Sequence, residues 1–177
     1  ALDLYGNGKT GNGPEENAAL MQPFLDDRIL LQSRLQCAID CAREQDEVDT
    51  TRLSAIGYCF GGLCVLDLAR VGTDLRGVVS FHGLLGKPGN TDGTPIKSKV
   101  LILHGNDDPM APSDDVVAVK KELTEAGADW QLHAYGNTMH SFTNPKANDP
   151  SFGTVYSDVA DHRSWISMMN FLEEVSV

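Results

Sequence analysis

The chain has 177 residues, 14 Lys and Arg against 25 Asp and Glu, and a formal net charge of -11, enough length for one domain over 1–177 with a substantial core. That acidity excludes a nucleic-acid binder, because little in the chain would neutralise phosphate, and it disfavours an anionic membrane surface. No apolar run is long enough for a membrane span and no signal peptide is visible, so a cytoplasmic protein is expected.

Ala1–Tyr5 reads as a strand and Gly6–Glu16 as a glycine-rich loop. Within that loop Gly8-Lys9-Thr10 invites a phosphate-loop reading, but Asp3 stands where the first glycine is required and no helix follows at once. A short helix is predicted from Glu15 to Met21. A longer one follows over Leu25–Glu44, with Ile29, Leu30, Leu35, Ala38 and Ile39 toward the core. Strand Leu53–Tyr58, helix Gly61–Arg70, strand Gly77–Phe81, strand Lys99–His104, helix Pro112–Ala126, strand Trp130–Tyr135 and helix Val155–Glu174 complete the series. Strands separated by helices imply parallel βαβ units, hence an α/β fold with a mostly parallel sheet flanked by helices. The Gly/Pro-rich loop Gly83–Ser98 is the expected mobile cover over a site.

Gly57-Tyr58-Cys59-Phe60-Gly61-Gly62 is the most informative stretch. Strand, glycine-flanked turn, helix is the setting of a nucleophile elbow, where a side chain stands at the tip of a strained turn. The less favoured reading of a cysteine there is a buried structural thiol at a close strand–helix contact. Two later strand ends favour chemistry. One carries His104-Gly105-Asn106-Asp107-Asp108-Pro109 and the other Gly136-Asn137-Thr138-Met139-His140. Nucleophile, acid and base occur in the chain order of α/β-hydrolases, and loops at the carboxyl ends of parallel strands converge on one crevice. Cys37, Cys41 and Cys64 read as small buried hydrophobes, and a redox-sensing role for Cys59 with Cys64 is disfavoured. His82 and His104 end strands, His133 is expected half exposed, and His162 on a helix surface. No histidine, cysteine or carboxylate set has metal spacing, so neither a metal nor a cofactor is expected.

The motifs Gly57 to Gly62, Leu103 to Pro112 and Tyr135 to Phe142 resemble those of the dienelactone hydrolase (carboxymethylenebutenolidase) family of α/β-hydrolases, and the resemblance covers essentially the whole chain. It implies a hydrolase of carboxylic esters, lactones or thioesters working through an acyl-cysteine. Cys59 would be the nucleophile, His140 the base and acid, and Asp108, in preference to Asp107, the orienting carboxylate. The backbone N–H of Phe60 would serve the oxyanion hole, with Tyr58, His82 and Phe142 lining a substrate pocket. Trp165 reads as core packing. Family members carry strands before the segment matching Ala1–Tyr5, so the fold reads as N-terminally truncated, lacking a second oxyanion donor and the family's activating carboxylate. Either Ala1–Tyr5 then shifts beside Leu53–Tyr58, or two chains pair along an exposed sheet edge as a homo-oligomer. Asn7 and Asn144 stand where the family has carboxylate-binding arginines, which an asparagine cannot replace, so a neutral small-molecule substrate is as consistent as a dienelactone. The alternative reading is a non-catalytic or vestigial hydrolase fragment serving as an assembly or binding module.

Overall fold

The computed structural model describes all of residues 1–177, which form two compact units, Ala1–Thr50 and Thr51–Val177.

In the first unit, helices α1 (Pro14–Asp26) and α2 (Arg28–Arg43) are joined through Asp27. Asp27 N–H donates to the Pro23 carbonyl at the end of α1, while its carboxylate accepts from Leu30 N–H and so caps α2. The buried face of α2 is set by Leu31 and Leu35, one turn apart, and not by Ile29 and Leu30, which are 66% and 40% exposed. Cys37 and Cys41 are exposed as well, contrary to the expectation of buried packing. Ala1–Tyr5 forms no strand. The Asp3 carboxylate accepts from the N–H groups of Gly6 (2.9 Å) and Gly8 (2.8 Å), which bends the chain into a turn, and Leu4 gives its carbonyl to Arg34 Nη1.

The second unit is built on a four-stranded parallel sheet in the order β1 (Ser54–Tyr58), β2 (Gly77–Phe81), β3 (Lys99–Gly105), β4 (Trp130–Tyr135). Strands β2 and β3 are buried on both faces, as a parallel sheet covered by helices requires. Helix α3 (Phe60–Arg70) packs on β1 and β2, α4 (Ser113–Glu125) links β3 to β4, and α5 (Asp158–Val175) lies over β2 and β3. Val79, Phe81, Leu101 and Leu103 form one face of the sheet and bury against Phe142, Ala160, Met168, Phe171 and Val175. At roughly 1.5–3 kcal/mol per large apolar side chain, this cluster is the main stabilising contribution around the strand ends. Trp165, expected in a core, is 52% exposed on α5. β1 and β4 are the edge strands of this sheet, and of the two expected arrangements the one in which Ala1–Tyr5 becomes a strand beside β1 does not occur.

One structural device was not legible in the sequence. Arg70, 2% exposed at the end of α3, pairs with Glu122 of α4 through Nε (2.9 Å) and Nη2 (2.8 Å). The same guanidinium contacts Asp67 and donates to the Leu85 and Gly86 carbonyls. Together with buried Leu85 and Ile96 and the bond from Ser98 Oγ to Thr73 O, it fastens the loop Gly83–Ser98 along α3. That loop is an anchored connection, not the expected mobile cover.

Candidate active site

Cys59 falls between β1 and α3 with φ 55° and ψ -119°, a backbone conformation costly for any residue with a Cβ. The turn is held by the Cys59 N–H, which donates to Phe81 O (3.0 Å), and by Gly62 N–H, which donates to Cys59 O (2.9 Å). The glycines have separable reasons. A Cβ on Gly57 would lie 2.0 Å from the Gly61 carbonyl oxygen, and one on Gly62 would lie 2.7 Å from Gly83 Cα. A Cβ on Gly61 would meet nothing, so that position tolerates a side chain as the turn stands. Gly57 lets the elbow close; Gly62 lets α3 dock on the end of β2.

The acid and base arrive on loops that are tied together. Gly105, at the end of β3, approaches the base loop so closely that a Cβ would lie 2.6 Å from the carbonyl oxygens of Thr138 and Met139. Two residues on, Asp107 N–H donates to Thr138 O at 2.9 Å. Asp108 turns inward: Oδ1 accepts from Met110 N–H (2.8 Å) and Oδ2 lies 2.7 Å from His140 Nδ1. Asp107 is exposed and its carboxylate accepts only from the neighbouring Asn106 side chain, so of the two aspartates the fold pairs Asp108 with the histidine. His140 is held on its other side by a short antiparallel pair, β5 (Asn148–Asp149) and β6 (Thr154–Val155), absent from the sequence-based prediction. His140 N–H donates to Gly153 O and His140 O accepts from Val155 N–H. Gly153 (φ 84°) crosses Pro109, whose Cγ would lie 2.2 Å from an added Cβ. Asn137 and Ser141, on either side of the histidine, both adopt positive φ.

His140 Nδ1 is thus committed to Asp108, while Nε2 is buried and makes no well-formed hydrogen bond. Burial pushes the imidazole pKa down, but the hydrogen bond to Asp108 and the interaction with the Cys59 thiol outweigh it and lift it to about 9. The ring is therefore an imidazolium at neutral pH, facing the cysteine.

The three residues expected to line a pocket are placed differently from one another. Tyr58 is 39% exposed beside the elbow and stacks on Phe81 at 4.5 Å. Phe142 is fully buried in the core cluster and His82 is 3% exposed, so neither presents surface to a pocket. His82 follows a strand end and Phe142 follows the base in the chain, and both side chains are buried in the interior. Among the remaining histidines, His104 is buried, His133 is half-buried against Ser167, and His162 is exposed.

The model of the dienelactone hydrolase family matches residues 1–176. The chain belongs to the dienelactone hydrolase family. It is 35% identical over 150 residues to an uncharacterized protein of Caenorhabditis elegans, covering 81% of this chain and 93% of that one. Among solved structures it is similar to a dienelactone hydrolase-like promiscuous phosphotriesterase, P91, from metagenomic libraries. The two are 36% identical with a TM-score of 0.89, over 97% of this chain and 72% of that one. A structure named m3DLH gives 37% identity and a TM-score of 0.92, over 99% of this chain and 73% of that one. The fold is that of α/β-hydrolases, and family membership makes the chain a hydrolase acting on small molecules. No helix is long and apolar enough to cross a membrane.

Sequence reasoning missed the hairpin β5–β6 and the part played by Gly105, Pro109 and Gly153 in locking acid to base. Gly105 and Gly153 could have been noticed as glycines beside motif residues, but nothing local says which backbone would cross them.

Proposed function

We propose that residues 1–177 act as one hydrolase domain that cleaves carboxylic esters, lactones or thioesters through an acyl-cysteine at Cys59. The observation that carries this reading is the strained Cys59 elbow at a strand–helix turn, together with a buried His140 whose Nδ1 is fixed on Asp108 at 2.7 Å.

With His140 as its base, Cys59 reacts as the thiolate. The thiolate attacks the carbonyl carbon, and the developing oxyanion is met by the N–H of Phe60, the first residue of α3. His140 Nε2 gives its proton to the leaving alkoxide or thiolate as the carbon–heteroatom bond breaks, leaving an acyl-cysteine and a neutral imidazole. Nε2 then takes a proton from water, whose oxygen attacks the acyl carbon. Collapse of that second tetrahedral species releases the carboxylic acid and restores thiolate and imidazolium. Asp108 holds the tautomer and offsets the charge throughout, as the acid of a triad does.

Asn144 spends its side chain on a turn, accepting from Lys146 N–H, and offers no cation to a substrate carboxylate. A neutral acyl group therefore fits better than a lactone that carries a carboxylate. The relative described as a promiscuous phosphotriesterase suggests a second substrate class, in which the same thiolate attacks phosphorus.

The test is hydrolysis of p-nitrophenyl acetate, an acyl thioester and a phosphotriester by the parent chain and by Cys59→Ala. Turnover of an ester or thioester that disappears in the variant supports the reading. Equal rates in both proteins refute it and favour the non-catalytic alternative.

A further inference from the structure

His82 is almost completely buried, yet none of the steps above uses it. Its backbone lies in the left-handed region (φ 36°), uncommon for a residue with a side chain, although its N–H still continues the ladder to Leu103 O at 2.8 Å. That turn brings the ring to the elbow. Nδ1 accepts from the Cys59 N–H at 3.2 Å, sharing that donor with Phe81 O. A ring nitrogen that accepts carries no proton, so the proton sits on Nε2, which lies 2.9 Å from Thr143 Oγ1. Thr143 is three residues past His140 on the base loop. The ring also meets His140 edge-on at 5.0 Å and Phe142 at 5.1 Å.

We infer that His82 is a positioning residue: a neutral imidazole strut that holds the Cys59 elbow at one nitrogen and the base loop at the other, and so sets the alignment of thiol and imidazole. The inference rests on Cys59 and His140 being the reacting pair. Two strained segments need such a member. Cys59 on one side, and His140 with its positive-φ neighbours on the other, belong to different loops, and conformations of that cost persist only where several contacts fix them. The strut also has to stay uncharged, because a second cation edge-on to the His140 imidazolium would repel it. Burial and the adjacent His140 push His82 down to about 3, so it remains neutral.

Three variants separate this role from packing. His82→Phe keeps a ring and removes both nitrogens. His82→Asn keeps an acceptor near Nδ1 and is a residue type that accepts positive φ. Thr143→Val removes only the hydroxyl. Each is followed by steady-state hydrolysis of p-nitrophenyl acetate and by the pH profile of iodoacetamide alkylation at Cys59, with exposed Cys37 and Cys41 as internal references.

For His82→Phe, kcat is expected to fall on the order of 10- to 10²-fold, the scale of a small misplacement of reacting groups, with KM little changed. Its alkylation at neutral pH should slow toward that of Cys37, His82→Asn should recover most of both losses, and Thr143→Val should fall between. A folded His82→Phe with the parental kcat and alkylation profile overturns the inference, as does an Asn variant no better than Phe. If His82→Phe does not fold, Thr143→Val decides, and a parental profile there overturns the strut. Parental Cys59 alkylating no faster than Cys37 would instead sink the reacting pair, and the inference with it.

Discussion

Asp108→Asn changes one atom of the carboxylate and leaves its shape. The amide oxygen can still accept from Met110 N–H, as Oδ1 does now at 2.8 Å, which directs the NH₂ group at His140 Nδ1. Two donors then face each other unless the imidazole changes tautomer and places its proton on Nε2. In that state Nε2 cannot take a proton from the water that cleaves the acyl-cysteine. The expected loss in kcat is about 10⁴-fold, the size found when a triad aspartate becomes an amide. The shift of His140 from 6.5 to about 9 is the net of burial, which lowers it, and of Asp108 and Cys59, which raise it, and corresponds to about 3 kcal/mol in favour of the imidazolium. In the parent, kcat/KM should fall above about pH 9, where the acid that protonates the leaving group is lost. Without the carboxylate, burial is less opposed and that limb should move to lower pH. Stability carries the same signature. A group whose folded pKa is raised contributes stability that is complete below the unfolded value near 6.5 and lost as pH rises through about 9. The difference in Tm between parent and variant should therefore narrow between pH 7 and 9.5. Hydrolysis rates and thermal melts over pH 5–10 are the assay. A variant that keeps the parental kcat and a descending limb near pH 9 would refute the assignment of Asp108.

Gly57→Ala places a methyl 2.0 Å from the Gly61 carbonyl oxygen, a backbone atom that cannot yield without moving α3. We expect a loss of about 1–3 kcal/mol or more in denaturant melts and near-complete loss of turnover, whereas Gly61→Ala, which meets nothing, should cost far less. Arg70→Met leaves Glu122 and Asp67 buried without their cation, and should cost about 3–5 kcal/mol of unfolding free energy. Urea unfolding of Arg70→Met beside the double variant with Glu122→Gln checks this, since removing the orphaned charge should restore part of the loss.

Where sequence reasoning worked, the constraint was local. The Cys59 turn carries its glycines within a few residues, and the strands ending before Asp108 and His140 are short apolar runs with few other readings. β2 and β4 fall where expected, at Gly77–Phe81 and Trp130–Tyr135. The failures share a cause in the fold's long-range partners. Ala1–Tyr5 has strand-like alternation, but the Asp3 carboxylate captures two downstream N–H groups and bends the segment. Ile29 and Leu30 look as suited to a core as Leu31, and tertiary packing alone selects the phase of α2. The Gly83–Ser98 loop has the composition of a lid, yet an arginine thirteen residues upstream of Gly83 holds it down. Asp108 was preferred over Asp107 by resemblance to a family pattern; the physical reason is that Asp107 N–H is spent on Thr138 O, which turns the next side chain inward.

The hairpin β5–β6 meets the base at two fixed points, Gly153 and Val155, while its strand residues Asn148 and Asp149 are exposed and Phe152 is 53% exposed. β5 itself lies in 144–151 and pairs with Thr154 and Val155, and Tyr156 N–H donates to Ala147 O, so this exposed stretch is the outer half of the brace behind the imidazole. Substitution of its outward side chains leaves the two pins in place, whereas a change of length would shift the register of β5 on β6 and move the base with it.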